Sequence, residues 1–169
     1  MRILKILVVI IILSPVISFG QNQPKQPHEV LIEKVVKALK RENARSFITG
    51  CIPTQLNFNE LSIATYPSRP ELAKGLQSKA ARDSLIKKEK ESFEKLIQDG
   101  KKDNIVWSKI KLKWTGIESK PTNKVNQLNL PFDVICGKKE YRIVLEYCTQ
   151  LAKKPEIILP GELRWEGEK

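Results

Sequence analysis

Apolar positions between residues 28 and 41 recur at helical spacing. Leu31, Val35 and Leu39 fall in one line, Ile32 and Val36 lie beside it, and Lys34, Lys37 and Arg41 take another face. That is the period of an α-helix with one buried stripe. Asn43 is suited to end it, because Asn tolerates the left-handed backbone of a helix terminus. A short second helix carries Phe47 and Ile48 and stops at Gly50. Residues 51–70 hold Pro53, Pro67 and Pro70 and read as loop with a single turn of helix. The helical period returns from Pro70 to Gly100 in Leu72, Leu76, Ile86, Phe93 and Ile97, with Ser68 as N-cap and a break near Gly75. Its outer face alternates sign at helical spacing, Lys87–Glu91–Lys95 and Lys90–Glu94, which is the pattern of a solvated face.

After Gly100 the period falls to two. Strand-like segments occupy about 107–117, 125–136, 140–149 and 156–166, separated by the turn-forming stretches SKPTN, GKK and AKKP. Helices followed by an antiparallel meander predict an α+β domain with helices on one face of a four-stranded sheet. A hairpin closing at Lys138-Lys139 sets Cys136 opposite Tyr141, Val134 opposite Ile143, Phe132 opposite Leu145 and Leu130 opposite Tyr147. All eight are apolar or aromatic, so this is the buried face, and Asp133 falls on the other. A five-residue SKPTN loop sets Ile110, Leu112 and Trp114 inward against Phe132, Leu130 and Leu128. Lys109, Lys111 and Lys113 then form an outer ladder, with Lys109 facing Asp133, Lys111 facing Pro131 and Glu146 beyond it. Trp107 lies on the lysine side or packs at the helix–strand junction. Pro131, in a central strand, predicts a bulge or bend.

The first twenty residues change the destination. Arg2 and Lys5 precede the apolar run Ile6–Leu13, Ser14-Pro15 breaks it, and Ser18-Phe19-Gly20 offers a small-x-small cleavage pattern before Gln21. This predicts a signal peptide over 1–20, cleavage near Gly20, and a periplasmic or extracellular chain. Residues 21–27 read as a polar linker and 28–169 as one domain. Loss of Arg2 and Lys5 with the signal lowers the net charge from +11 to +9. That balance favours acidic partners, an anionic polymer or the envelope surface, and carries no fold information. One basic face with a single tryptophan lacks the interleaved aromatics of a nucleic-acid module, so no specific nucleic-acid partner is expected.

Candidate chemistry is sparse. The single histidine, His28, sits at the start of the first helix, so any triad or Cys–His pair would have to use it. No CxxC, HExxH, acidic metal loop or Gly-rich phosphate loop is present, and neither metal nor cofactor is expected. No catalytic residue is assigned. The three cysteines of an exported chain raise the disulfide question. In the register above, Cys136 and Cys148 face opposite sides and lie about 23 Å out of step at the rise of a strand. A bridge spans Cα atoms only about 4.4–6.8 Å apart. Cys51, at the end of the second helix, reaches Cys148 at a strand end, so Cys51–Cys148 is favoured over Cys51–Cys136 with Cys136 left free, and three reduced thiols are the alternative.

The order of elements, WSKI after the long helix, the strand KKEYRIVLEY and the closing GELRW resemble small uncharacterised secreted bacterial proteins. The resemblance implies a cystatin-like or NTF2-like fold, with N-terminal helices packed on a curved four-stranded antiparallel meander. It also implies a cavity, for which Tyr141, Tyr147 and Trp114 are the candidate lining residues. That superfamily holds isomerase-like and dehydratase-like enzymes alongside non-enzymatic binding domains, and fold alone does not choose between them. An enzyme of this kind needs a base facing the cavity, and the inward face of the hairpin supplies none. The leading expectation is a non-enzymatic domain that binds a ligand or protein partner. An isomerase or dehydratase and a basic envelope-associated protein are the alternatives.

Overall fold

The computed structural model describes residues 24–122 and 124–169. The signal peptide expected over 1–20 and the linker up to residue 23 lie outside the described residues. Helix α1 (Pro27–Lys40) opens with Pro at its first position, where a missing N–H costs nothing. The Glu29 carboxylate accepts from the Gln26 N–H at 2.9 Å. The left-handed residue that ends α1 is Glu42 (φ 48°), not Asn43. Asn43 instead caps α2 (Ala44–Cys51), accepting from the Ser46 N–H at 2.8 Å.

The stretch 51–70 is not a loop but carries the eleven-residue α3 (Gln55–Thr65). Its prolines flank the helix: Pro53 precedes the Thr54 cap and Pro67 follows the last turn. Only Phe58, Leu61 and Ser62 are buried while Leu56 and Ile63 are exposed, so no clean apolar stripe marks it. The break expected near Gly75 falls at Gln77–Ser78 and divides the long helical stretch into α4 (Pro70–Leu76) and α5 (Lys79–Lys102). Arg69 rather than Ser68 precedes α4, and Ser78 caps α5 by accepting from the Ala81 N–H at 3.1 Å.

A 3-10 turn at Trp107–Lys109 leads into an open antiparallel sheet of six strands: β1 (Lys111–Thr115), β2 (Glu118–Pro121), β3 (Val125–Cys136), β4 (Lys139–Leu151), β5 (Ile158–Leu159) and β6 (Leu163–Glu168). The expected four strands become six: β2 occupies part of SKPTN, expected as a turn, and the expected last strand is divided into β5 and β6. β1 and β2 pair in succession with β3, and β5 and β6 pair with β4. Gly161 sits between β5 and β6. A Cβ there would stand 1.9 Å from the Glu146 carbonyl oxygen, so only glycine allows the chain to pass so close.

The central hairpin turns at Gly137-Lys138, one residue earlier than expected, and Gly137 has φ 65°. Val134 therefore faces Tyr141, Phe132 faces Ile143 and Leu130 faces Leu145, a slip of two residues. A slip of two preserves every face, since the side-chain period is two. A bulge then intervenes between Leu128 and Leu130, where β4 carries the extra residue and Leu128 faces Cys148.

Helices α1, α2 and α5 close the inner face. Ile32, Val35 and Leu39, Phe47, and Phe93 and Leu96 pack with Leu130, Phe132, Ile143 and Leu145, and the Phe47 and Phe93 rings stack at 5.1 Å. Each such side chain gains about 1.5–3 kcal/mol by leaving water. Helix α3 rests on a separate small cluster of Leu61, Val125, Leu151 and Ile157.

Candidate functional site

Because α3 stands on its own cluster, it meets the rest of the molecule along a groove of about 380 Å³. Phe58, Leu61 and Thr65 of α3, Tyr66, Leu76 of α4, Leu85 and Lys88 of α5, and Thr149 and Leu159 of β4 and β5 line it. That volume lies in the range of small-molecule sites. The Ser62 and Thr65 hydroxyls donate to the Phe58 and Leu61 carbonyls at 2.9 and 2.8 Å, so these polar atoms are satisfied within the helix. The Gln55 amide donates to the Gln77 carbonyl at 3.1 Å, and Arg82 donates to the Pro53 carbonyl at 3.0 Å. These bonds tie the start of α3 to the junction of α4 and α5. Lys88 is its one charged lining group, and no carboxylate lies within salt-bridge distance of Lys88 among the described residues. Such a surface suits a ligand with an apolar body and an anionic head.

One turn beyond Leu85 on α5 stands Glu89, only 2 % exposed. Its Oε2 has no hydrogen-bond partner among the described residues. Burial pushes its carboxyl up to about 8, with the Lys88 charge opposing and Glu162 adding to the rise. The next turn docks β6: Ser92 Oγ accepts from the Leu163 N–H at 2.9 Å and donates to the Leu163 carbonyl at 3.2 Å. Glu89 is the titratable group that sequence reasoning missed, because it lies in the run KEKESFEK, whose other charges form a solvated face. The signal was present. Ile86, Glu89, Phe93 and Ile97 follow each other at intervals of three and four, which puts Glu89 inside the apolar stripe.

The residues expected to line a cavity are not brought together. Tyr141 is buried in the core, its ring stacked on Trp165 at 5.4 Å and its hydroxyl donating to the Asp103 carbonyl at 3.5 Å. Tyr147 does not face Leu130. The β4 bulge holds it at φ 55° and leaves it 71 % exposed, with its N–H donating to Asn129 Oδ1 at 3.1 Å. Trp114 does not point inward either. The register shifts between Leu112 and Trp114, which sets Trp114 against Asp133 on the outer face, 45 % exposed. Its ring lies 5.3 Å from the Arg142 guanidinium. The tryptophan on the lysine side is the buried one: Trp107 is 1 % exposed and donates from Nε1 to the Ile97 carbonyl at 3.1 Å.

The outer face is a compensated charge network. Asp133 accepts from Arg142 at 2.8 and 3.2 Å and from Lys169 at 2.9 Å. Burial works to raise its carboxyl, but these hydrogen bonds outweigh that and hold it below the usual carboxylate value. Lys113 pairs with Glu140, so the ladder has an acidic neighbour, but the expected facings are corrected: Lys109 belongs to the 3-10 turn and does not face Asp133, and Lys111 faces Ile135, not Pro131. Lys109, Lys111 and Lys113 are all exposed. Replacing the three by Ser is expected to change the unfolding free energy by less than about 1.5 kcal/mol, measured by urea denaturation.

The three cysteines are free thiols, and the Cys51–Cys148 bridge is not formed. Both residues are buried in the main core as small apolar side chains, and Cys148 Sγ donates to the Leu145 carbonyl at 3.5 Å. Burial pushes both thiols up to about 12. Cys136, expected in the core, is half-buried, its Sγ 3.8 Å from the Val106 carbonyl. His28 is half-buried in the first turn of α1. Among the described residues no three His, Cys, Asp or Glu side chains gather as a metal site, and no helix is long and apolar enough to cross a membrane. No protein-family model, curated protein or solved structure matches this chain.

Proposed function

We propose that the chain is an exported, non-enzymatic binding domain that holds a small amphiphile in the groove between α3, α4, α5 and the β4–β5 edge. The observation that carries this reading is the groove itself: about 380 Å³, walled by Phe58, Leu61, Leu85 and Leu159, with the Lys88 ammonium as its single charge. An apolar body leaves water along those walls, and an anionic head meets Lys88. Helices stacked on one face of an antiparallel sheet agree with the cystatin-like or NTF2-like resemblance, which enters here as part of the proposal. Export follows from the pattern of residues 1–20 and is proposed with it.

Dodecanoate is a suitable probe, with binding followed by calorimetry. Ser84→Trp, which sets a large ring at a groove-lining position on α5, is expected to weaken binding at least tenfold. Lys88→Ala is expected to weaken it about fivefold, as loss of a charge-assisted contact would. Binding unaffected by both substitutions places the ligand elsewhere. A second reading, acid–base chemistry of the isomerase or dehydratase kind, rests on Glu89, whose raised carboxyl holds a proton near neutral pH. It requires Glu89 to reach the ligand, and Glu89 is not among the groove's lining residues.

A further inference from the structure

Helix α3 has a second face, turned away from the proposed ligand groove. Leu56 is 70 % and Ile63 56 % exposed. Seven residues apart, they lie on one line of the helix. Ile63 and Ala64 border a second hollow of about 360 Å³ whose other walls are Leu151 and the lysines 124, 153 and 154. Glu60, the one acid of this patch, is held at 2.9 and 2.8 Å by Lys154, so its charge is already spent inside the protein. Lys124 and Lys153 have no carboxylate within salt-bridge distance among the described residues. The patch therefore combines protruding aliphatic side chains with unspent positive charge.

We propose that this face of α3 docks on an anionic lipid bilayer, with Leu56 and Ile63 entering the headgroup–acyl boundary and Lys124 and Lys153 meeting lipid phosphates. Charge complementarity favours this occupant. A protein partner able to bury two isolated aliphatic side chains would also have to supply acids opposite both lysines, whereas an anionic leaflet supplies them everywhere. The reading is independent of the ligand groove on the opposite side of α3.

The test places a reporter on the patch in the full chain: Leu56→Trp, mixed with vesicles of equimolar phosphatidylglycerol and phosphatidylcholine at ~0.15 M salt, where screening of exposed charges is already strong. The expected result is a blue shift of the added tryptophan's emission, absent with pure phosphatidylcholine. In the reporter background, Lys124→Ala and Lys153→Ala should each raise the lipid concentration at half-shift about fivefold. Ile63→Ser should raise it about tenfold or more. The mutated side chains are exposed, and circular dichroism checks that each variant keeps its fold. Residues 6–13 are apolar and present in every variant, but a chain held by them alone would sediment with vesicles without a shift at position 56. That outcome overturns the proposal. So does a shift of equal size with dextran sulfate, which would mark a soluble polyanion site. A concentration-dependent shift without lipid would mark self-association and overturn it as well.

Discussion

Trp107→Ala is expected to lower the unfolding free energy by about 3–5 kcal/mol, the range for emptying a large aromatic from a core. The ring is among the largest fully buried side chains, joins the end of α5 to the first strand, and meets Trp165 edge-on at 6.0 Å. Its indole N–H donates to the Ile97 carbonyl of α5, and truncation removes that hydrogen bond as well. Gly100 exists to receive it: a Cβ at that position would lie 2.2 Å from the ring. Trp114→Ala, seven positions further along the chain, removes a half-exposed ring and its contact with Arg142. Its expected cost is about 1 kcal/mol or less. Urea unfolding of the two variants side by side decides the matter; equal losses would show that the bulge before Trp114 does not form in solution.

The second large effect is a loss of stability as pH rises. An unfolded Glu titrates near 4.5, while the native Glu89 carboxyl is pushed up to about 8. Between those values the native state keeps a proton that the unfolded state has released. The stability tied to Glu89 is thus fully present below pH 4.5 and is lost as pH climbs through 8. At about 1.4 kcal/mol per pH unit the full loss amounts to roughly 4–5 kcal/mol. Asp133 acts in the opposite sense, its lowered carboxyl giving stability that disappears only as pH falls below the usual value of 3.8. The two windows do not overlap. Glu89→Gln, uncharged and of the same shape, should abolish the decline between pH 5 and 8. Parallel pH profiles for wild type and variant would mean that Glu89 is ionised and solvated in the folded protein.

Face assignment was legible in the sequence, and register was not. Val134, Phe132, Ile143 and Leu145 were read as inward and are inward, because a slip of two residues costs nothing in side-chain parity. Trp114, expected inward, faces outward for the complementary reason, while Trp107 takes the helix–strand junction, one of the two places expected for it. The 3-10 turn at Trp107–Lys109 and the shift after Leu112 each break parity, and no residue in WSKIKLKWTG announces either event. A bulge was anticipated from Pro131, yet the irregularities fall beside it, before Trp114 and at Asn129. Helix α3 escaped notice because its apolar residues are shared between a small core and open solvent. The candidate groove was illegible for the same cause, since it forms where α3 meets α4, α5 and the sheet. Glu89 was readable from spacing alone, but the charged run around it argued more loudly than its position.

The divided outer strands carry a consequence for how the molecule behaves among its own copies. A long, flat sheet edge offers a continuous row of free N–H and C=O groups on which another chain can polymerise. Here one edge is broken at Gly116 between β1 and β2, and the other at Pro160-Gly161 between the two-residue β5 and β6. Neither border presents an uninterrupted template. The same breaks that defeat a simple reading of strand length therefore act as gatekeepers against fibril growth.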